Sequence, residues 1–204
     1  QTQYLKQITD IEDQYKSVDL SGLLEKDHTN KEPYFCTVKR NDPWDKGGLS
    51  KKILKQSKKI INEERKGTLN FDINNTDRSV GASISGYIAK IYGEDGLPKK
   101  LSLKFNGSAG QSFGCWNAKN LNLILNGDAN DYVGKGMNGG RIIIKNDADF
   151  ALKNNTVLAG NTCLYGATGG ELYISGSVGE RFAVRNSGAN AVVEGVGDHC
   201  CCLL

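Results

Sequence analysis

Apolar positions follow two different patterns along the chain. Leu5, Ile8, Ile11 and Tyr15 recur every three or four residues, the spacing of one apolar stripe on a helix. Ile53, Leu54, Ser57, Ile60 and Ile61 repeat that period. A second helix is predicted there, with Ser50 as its N-cap and Gly67 as its stop. Pro33, Asn41-Asp42-Pro43 and Lys46-Gly47-Gly48 punctuate the loops between them. From Gly67 onward the pattern changes. Short apolar runs at 101–105, 121–125, 142–144, 157–158, 172–174 and 191–193 alternate with glycine-bearing turns.

These turns are nearly periodic. Gly107 to Gly127 is 20 residues, Gly160 to Gly176 is 16 and Gly176 to Gly195 is 19, while 127–160 is long enough for two units. An aromatic follows each glycine at a similar distance, as Phe113, Tyr132, Tyr165 and Phe182. One short strand and one turn per unit is the mark of a solenoid. Glycines at the corners would take positive φ and let neighbouring rungs approach closely. Units of about 19 residues from Gly67 give roughly seven rungs. The favoured fold is mainly β, a right-handed parallel β-helix preceded by a short, partly helical segment; a β-sandwich of hairpins is the runner-up. Rungs are expected over 82–199, with Leu103, Phe105, Leu123, Leu125, Ile142, Ile144, Leu172, Ile174, Val192 and Glu194 in strands and alternate members facing the core.

Composition sharpens the division. Residues 1–66 hold 14 basic and 11 acidic side chains but three glycines; residues 67–204 hold 12 of each charge and 22 glycines. Two segments are therefore expected, 1–66 and 67–204. The net charge of +3 over 204 residues lacks the basic excess of a nucleic-acid binder. No run of about 18 apolar residues predicts a membrane span, and no secretory signal is recognised. A cytoplasmic setting with reduced thiols is the expectation. The chain starts with Gln1, as a piece of a longer polypeptide would.

Candidate chemistry is sparse. Cys115 and Cys163 read as small buried hydrophobes, Cys36 is isolated, and Cys200-Cys201-Cys202 lacks C-x-x-C spacing. In Asp198-His199-Cys200, neighbouring side chains of an extended segment point to opposite faces. The loops 107–114 and 134–140 are glycine-rich but lack the G-K-[ST] ending and a following helix. Asp128, Asp131, Glu171, Glu180 and Glu194 have no spacing that fixes a catalytic pair. His28 and His199 stand outside any Ser-His-Asp pattern. Lys51, Lys52, Lys55, Lys58 and Lys59 read as a solvated helix face rather than a phosphate patch.

Longer stretches carry a resemblance. Asn75-Thr76-Asp77-Arg78-Ser79-Val80-Gly81-Ala82, Ser85-Gly86-Tyr87-Ile88-Ala89 and Gly107-Ser108-Ala109-Gly110-Gln111-Ser112-Phe113-Gly114 form its first part. Gly127-Asp128-Ala129-Asn130-Asp131-Tyr132-Val133-Gly134-Lys135-Gly136-Met137 continues it, with 160–170 and 179–188. Together these resemble the C-terminal, GXGXG-type domain of the glutamate synthase large subunit, closest to the bacterial NADPH-dependent type. Residues 20–24 and 41–48 resemble the connector after that enzyme's FMN barrel. The resemblance implies a β-helix that buttresses the amidotransferase and FMN-binding domains of an enzyme making L-glutamate from L-glutamine and 2-oxoglutarate. It also implies a small subunit carrying FAD and NADPH as a partner.

The nucleophilic cysteine, FMN and the iron–sulfur cluster belong to other parts of that enzyme. Cys36, Cys115 and Cys163 are accordingly not assigned to a cluster. No catalytic, cofactor-binding or metal-binding residue is expected here, and the isolated chain is expected to be inactive. The alternative is a stand-alone β-helix scaffold of a redox complex, as similar domains form in formylmethanofuran dehydrogenase. Residues 200–204 depart from the family's glycine-rich continuation, as truncation would produce, so an exposed terminal rung prone to end-to-end association is expected.

Overall fold

Leu101, Leu103 and Phe105, like Leu121, Leu123 and Leu125, occupy every second position. Such residues can bury a common face only on an extended backbone. The computed structural model places both sets in strands and buries all six side chains. It describes residues 35–39, 47–146 and 156–201. Two compact units divide the chain, Gln1–Trp44 and Asp45–Leu204. In the first, Phe35 and Val38 are exposed, and the Cys36 thiol donates to the Val38 carbonyl at 3.1 Å. The helix expected around Leu5 to Tyr15, the loop residues Pro33 and Asn41-Asp42-Pro43, His28 and residues 202–204 lie outside the described residues.

The second unit runs α1 (Gly48–Asn62), β1 (Gly67–Ile73), α2 (Ala82–Tyr92), a 3-10 turn (Gly93–Asp95), then β2 (Leu101–Ala109), β3 (Leu121–Ala129), β4 (Asn138–Lys145), β5 (Val157–Ala159), β6 (Gly169–Val178) and β7 (Asn190–Gly195). It is mainly β, and the seven described strands form one sheet in which every pairing is parallel. Antiparallel hairpins of a sandwich are not what these residues form.

Register stacks like on like. Leu69, Leu103, Leu123, Ile142, Leu172 and Ala191 are successive partners, as are Phe71, Phe105, Leu125, Ile144, Ile174 and Val193. Phe105 stacks on Phe71 with centroids 5.7 Å apart and meets Phe113 edge-on at 5.3 Å. Each such buried side chain contributes about 1.5–3 kcal/mol relative to exposure.

Several expectations need correction. Residues 82–92 are a helix, not a rung: Ile84 and Ile88, four apart, are buried. The α1 helix begins at Gly48 after Gly47 and ends at Asn62, so Ser50 is a buried interior residue and Gly67 opens β1. All ten named strand residues lie in strands, but Leu103 to Ile174 all face inward instead of alternating, because they are spaced by two. At the last strand Ala191 and Val193 continue the inward columns by register, with Ala191 exposed and Val193 half-buried; Val192, partner of Tyr173, is 61% exposed.

The stretch 127–160 holds one layer, not two units. Lys145 pairs with Asn126 and Ala159 with Ala129, so the chain takes fourteen steps where β3 takes three. An insertion leaves the flanking pairs intact, which is why glycine spacing overcounted. Strand layers among the described residues number six, with β4 and β5 sharing one.

Helix α1 packs beside β1, and α2 packs against α1. Tyr87 donates its hydroxyl to Asn62 Oδ1 and Tyr92 to the Ile61 carbonyl, both at 2.9 Å, tying α2 to the end of α1. Ile53 and Ile61 are buried while all five lysines of α1 face solvent, in keeping with the solvated-face reading. Lys52 stands 5.9 Å from the Phe71 ring centroid and Lys58 5.3 Å from that of Tyr87.

Candidate functional site

Beyond the strands, the chain turns through backbone that most side chains avoid. Ser79, Ser112, Tyr132, Thr162, Arg181 and His199 occupy equivalent places with φ between 52° and 64°. Five of them donate N–H to the next turn: Ser79 to Gln111, Ser112 to Asp131, Tyr132 to Asn161, Thr162 to Glu180 and Arg181 to Asp198, at 2.7–2.9 Å. Two residues further on the direction reverses. Gly114, Gly134, Leu164, Ala183 and Cys201, also at positive φ, donate back to Val80, Phe113, Val133, Cys163 and Phe182. Trp116, Gly136 and Gly166 then donate forward again, to Lys135, Tyr165 and Val184. Turn backbone is thus paired between layers as strand backbone is.

This register corrects the aromatic repeat. Phe113 and Phe182 share the inward column with Val133 and Cys163, and all four are buried. Tyr132 lies one place before that column and Tyr165 two places after it, both facing outward. Non-glycine residues hold most of the left-handed positions, so glycine alone does not mark the corners. Gly107 and Gly127 do need their lack of a side chain: φ is 120° and 145°, and a Cβ at Gly127 would overlap the Gly107 carbonyl oxygen.

The outward side chains enclose a groove of about 760 Å³ lined by Tyr132, Lys135, Thr162, Tyr165, Arg181, Val184, Arg185 and His199. Lys135 Nζ lies 5.2 Å from the Tyr132 ring centroid and 5.9 Å from that of Tyr165, and Arg185 Cζ lies 6.0 Å from the same Tyr165 centroid. Among the described residues, three basic side chains and no carboxylate line it. None of this was read from the sequence, where Tyr132 and Tyr165 served only as markers of the repeat.

The residues weighed as candidates go elsewhere. The backbone N–H groups of Ser112, Gly114, Gly134 and Gly136 are engaged by neighbouring turns, so the two glycine-rich loops present no ready cradle for a phosphate. Asp128 accepts from Ser108 Oγ at 2.7 Å, Asp131 from the Asn161 N–H at 2.7 Å, and Glu171 from Arg141 Nε at 2.6 Å. Glu180 and Glu194 are exposed. Cys115 and Cys163 are buried, and loss of solvent pushes their thiols up to about 11 and about 12. Such thiols stay protonated and are poor nucleophiles or metal ligands. Among the described residues, no three of His, Cys, Asp and Glu gather as a metal would require. Cys200 Sγ lies 2.9 Å from Cys201 Sγ at the last turn.

A polar residue absent from the sequence reading is also central. Asn117 is fully buried and its Nδ2 donates to the carbonyls of Leu121 and Gly139 at 3.0 and 3.1 Å, closing one turn against the next. Among the described residues, no helix is long and apolar enough to cross a membrane.

Parallel strands in stacked register, joined by turns whose glycines meet the backbone of the preceding layer, define the class. The chain belongs to the family described as GXGXG motif, whose model matches residues 48–204. Its relatives are glutamate synthases. It is 56% identical over 143 residues to ferredoxin-dependent glutamate synthase 2 of Synechocystis sp., covering 69% of this chain and 9% of that protein. It is 46% identical over 202 residues to the ferredoxin-dependent glutamate synthase of Antithamnion sp. (97% and 13%) and 50% identical over 151 residues to the glutamate synthase [NADPH] large chain of Bacillus subtilis (73% and 10%). The likeness therefore extends beyond the NADPH type, and the chain spans roughly a tenth of the length of these relatives.

Proposed function

We propose that this chain is a structural domain of a glutamate synthase large subunit, folded as a right-handed parallel β-helix. It buttresses the amidotransferase and FMN-binding domains while the conversion of L-glutamine and 2-oxoglutarate to L-glutamate takes place elsewhere in the polypeptide. The observation that carries this reading is the commitment of its polar groups. Turn N–H groups pair between layers, three of the five candidate carboxylates hold structural partners, and two thiols are buried in the protonated form. Among the described residues, the turn N–H groups bonded between layers and the buried, protonated Cys115 and Cys163 bear on the cofactors. They support placing FMN and an iron–sulfur cluster, which need free backbone donors or thiolates, elsewhere in the polypeptide. An FAD- and NADPH-carrying small subunit and a cytoplasmic setting belong to the same reading, and reduced thiols suit it. Purified chain is expected to be colourless above 350 nm and to release no ammonia from glutamine. A flavin spectrum or glutaminase turnover would overturn the proposal.

A further inference from the structure

We propose that the turn-face groove binds an acidic stretch of polypeptide, whose carboxylates pair with Lys135, Arg181 and Arg185. Lys135 and Arg185 both stand within about 6 Å of the Tyr165 ring centroid, so two like charges share one aromatic ring. Arg181 lines the same groove, and none of the three forms an ion pair among the described residues. The nearest carboxylates in sequence do not relieve this. Asp131 is taken by the Asn161 N–H, and Glu180 and Asp198 do not line the groove. A partner bringing negative charge removes the repulsion and gains charge-assisted hydrogen bonds with arginine forks.

Two observations favour polypeptide over a nucleotide. Phosphate sites on proteins usually offer backbone N–H groups, and here those of Tyr132, Thr162 and Arg181 already bond to neighbouring turns. Recognition is left to side chains drawn from successive layers, a layout that an extended chain can follow across the strand spacing of about 4.8 Å. The same face also carries Trp116, 61% exposed on a turn at positive φ. Tryptophan, tyrosine and arginine are the residues that protein interfaces enrich.

The test uses the full 204-residue chain and labelled hexaglutamate, hexaglutamine and hexalysine peptides, read by fluorescence anisotropy at low salt. Hexaglutamate is expected to bind at least about tenfold more tightly than hexaglutamine, and less tightly as salt rises. Arg181→Glu with Arg185→Glu should lower hexaglutamate affinity at least about tenfold and gain binding to hexalysine. Lys104→Glu with Lys145→Glu removes two exposed cations from another face and should change affinity less than about twofold. Equal losses in the two double variants would reduce the effect to net charge and overturn the proposal, as would displacement of the peptide by micromolar ATP. Should the reversed variant fail to fold by circular dichroism, Arg181→Gln with Arg185→Gln gives the same comparison with a milder change. Unchanged hexaglutamate affinity in that variant would overturn the proposal equally.

Discussion

Three glycine-to-alanine substitutions should give three different outcomes, because Gly127 is at positive φ and crowded, Gly166 is at positive φ in open space, and Gly86 is helical in open space. Gly127 is the severe case. Its φ of 145° is one that L-residues rarely adopt, and a Cβ there would overlap the Gly107 carbonyl oxygen and lie 2.9 Å from its carbon. Gly107 and Gly127 are register partners on adjacent strands, so the added methyl can be accommodated only by parting β2 from β3. Loss of two ladder hydrogen bonds costs about 1–3 kcal/mol, and the backbone strain about 1–2 more. Gly127→Ala should therefore lower stability by about 2–5 kcal/mol, a large part of the roughly 5–15 available to a domain.

Gly166 separates strain from crowding. Its φ is 63° and nothing lies within 4 Å of the added carbon, so Gly166→Ala should lower stability by only about 1 kcal/mol after the stiffer unfolded chain is counted. Gly86, exposed on α2 with the same open space, lies in a helix interior where alanine is preferred by about 0.8–1 kcal/mol. That substitution should stabilise. Urea unfolding followed by far-UV circular dichroism reads all three, provided the m-values agree. Equal losses for Gly127→Ala and Gly166→Ala would refute the claim that close approach of layers at Gly127 costs stability beyond that of a positive φ alone.

Other outcomes follow from the same geometry. Asn117→Ala leaves the buried Leu121 and Gly139 carbonyls without their shared donor and should cost about 2–3 kcal/mol, measured by the same unfolding curves. A thiol reagent at pH 8 should modify exposed Cys36 and Cys201 in the folded chain but reach buried Cys115 and Cys163 only at the rate of unfolding. Those two thiols also set a sign for alkaline pH. Burial raises them from 9.0 to about 11 and about 12, so the unfolded chain sheds protons that the folded one keeps. Their contribution to stability is intact below pH 9 and falls from there toward pH 11–12, which midpoints collected between pH 8 and pH 10.5 would register as a decline.

The strands were legible because burying one face of a sheet forces a period of two, and Leu101 to Phe105 or Leu121 to Leu125 can satisfy it in only one way. The turns were not. Their register comes from backbone bonds between layers, which any side chain can make, so Phe113 and Tyr132 look alike in sequence yet one is buried and the other faces the groove. Helix α2 was missed although Ile84 and Ile88 stand four apart, since the Gly81 and Gly93 that bound it resemble the corner glycines of the repeat. The insertion after Lys145 escaped for a related reason: counting residues between glycines measures chain length, whereas layers are counted by pairing.

Side-chain freedom at the outward turn position explains why chemistry gathers there. The inward neighbours Val80, Phe113, Val133, Cys163 and Phe182 are all buried and apolar, and packing restricts them to residues of that kind. The outward position carries Ser79, Ser112, Tyr132, Thr162, Arg181 and His199 on one and the same backbone geometry. Glycine would be the least strained choice at each, and none is glycine. At about 1 kcal/mol apiece, six such residues hold strain on the order of 6 kcal/mol, similar to the net stability of many domains. The stacked sheet must supply the energy to keep them, while the backbone ladder leaves the side chains of Tyr132, Thr162, Arg181 and His199 to line the groove. A fold of this kind can therefore change what its turn face binds without repacking its core, and in this chain that face presents arginine, tyrosine and histidine in successive layers.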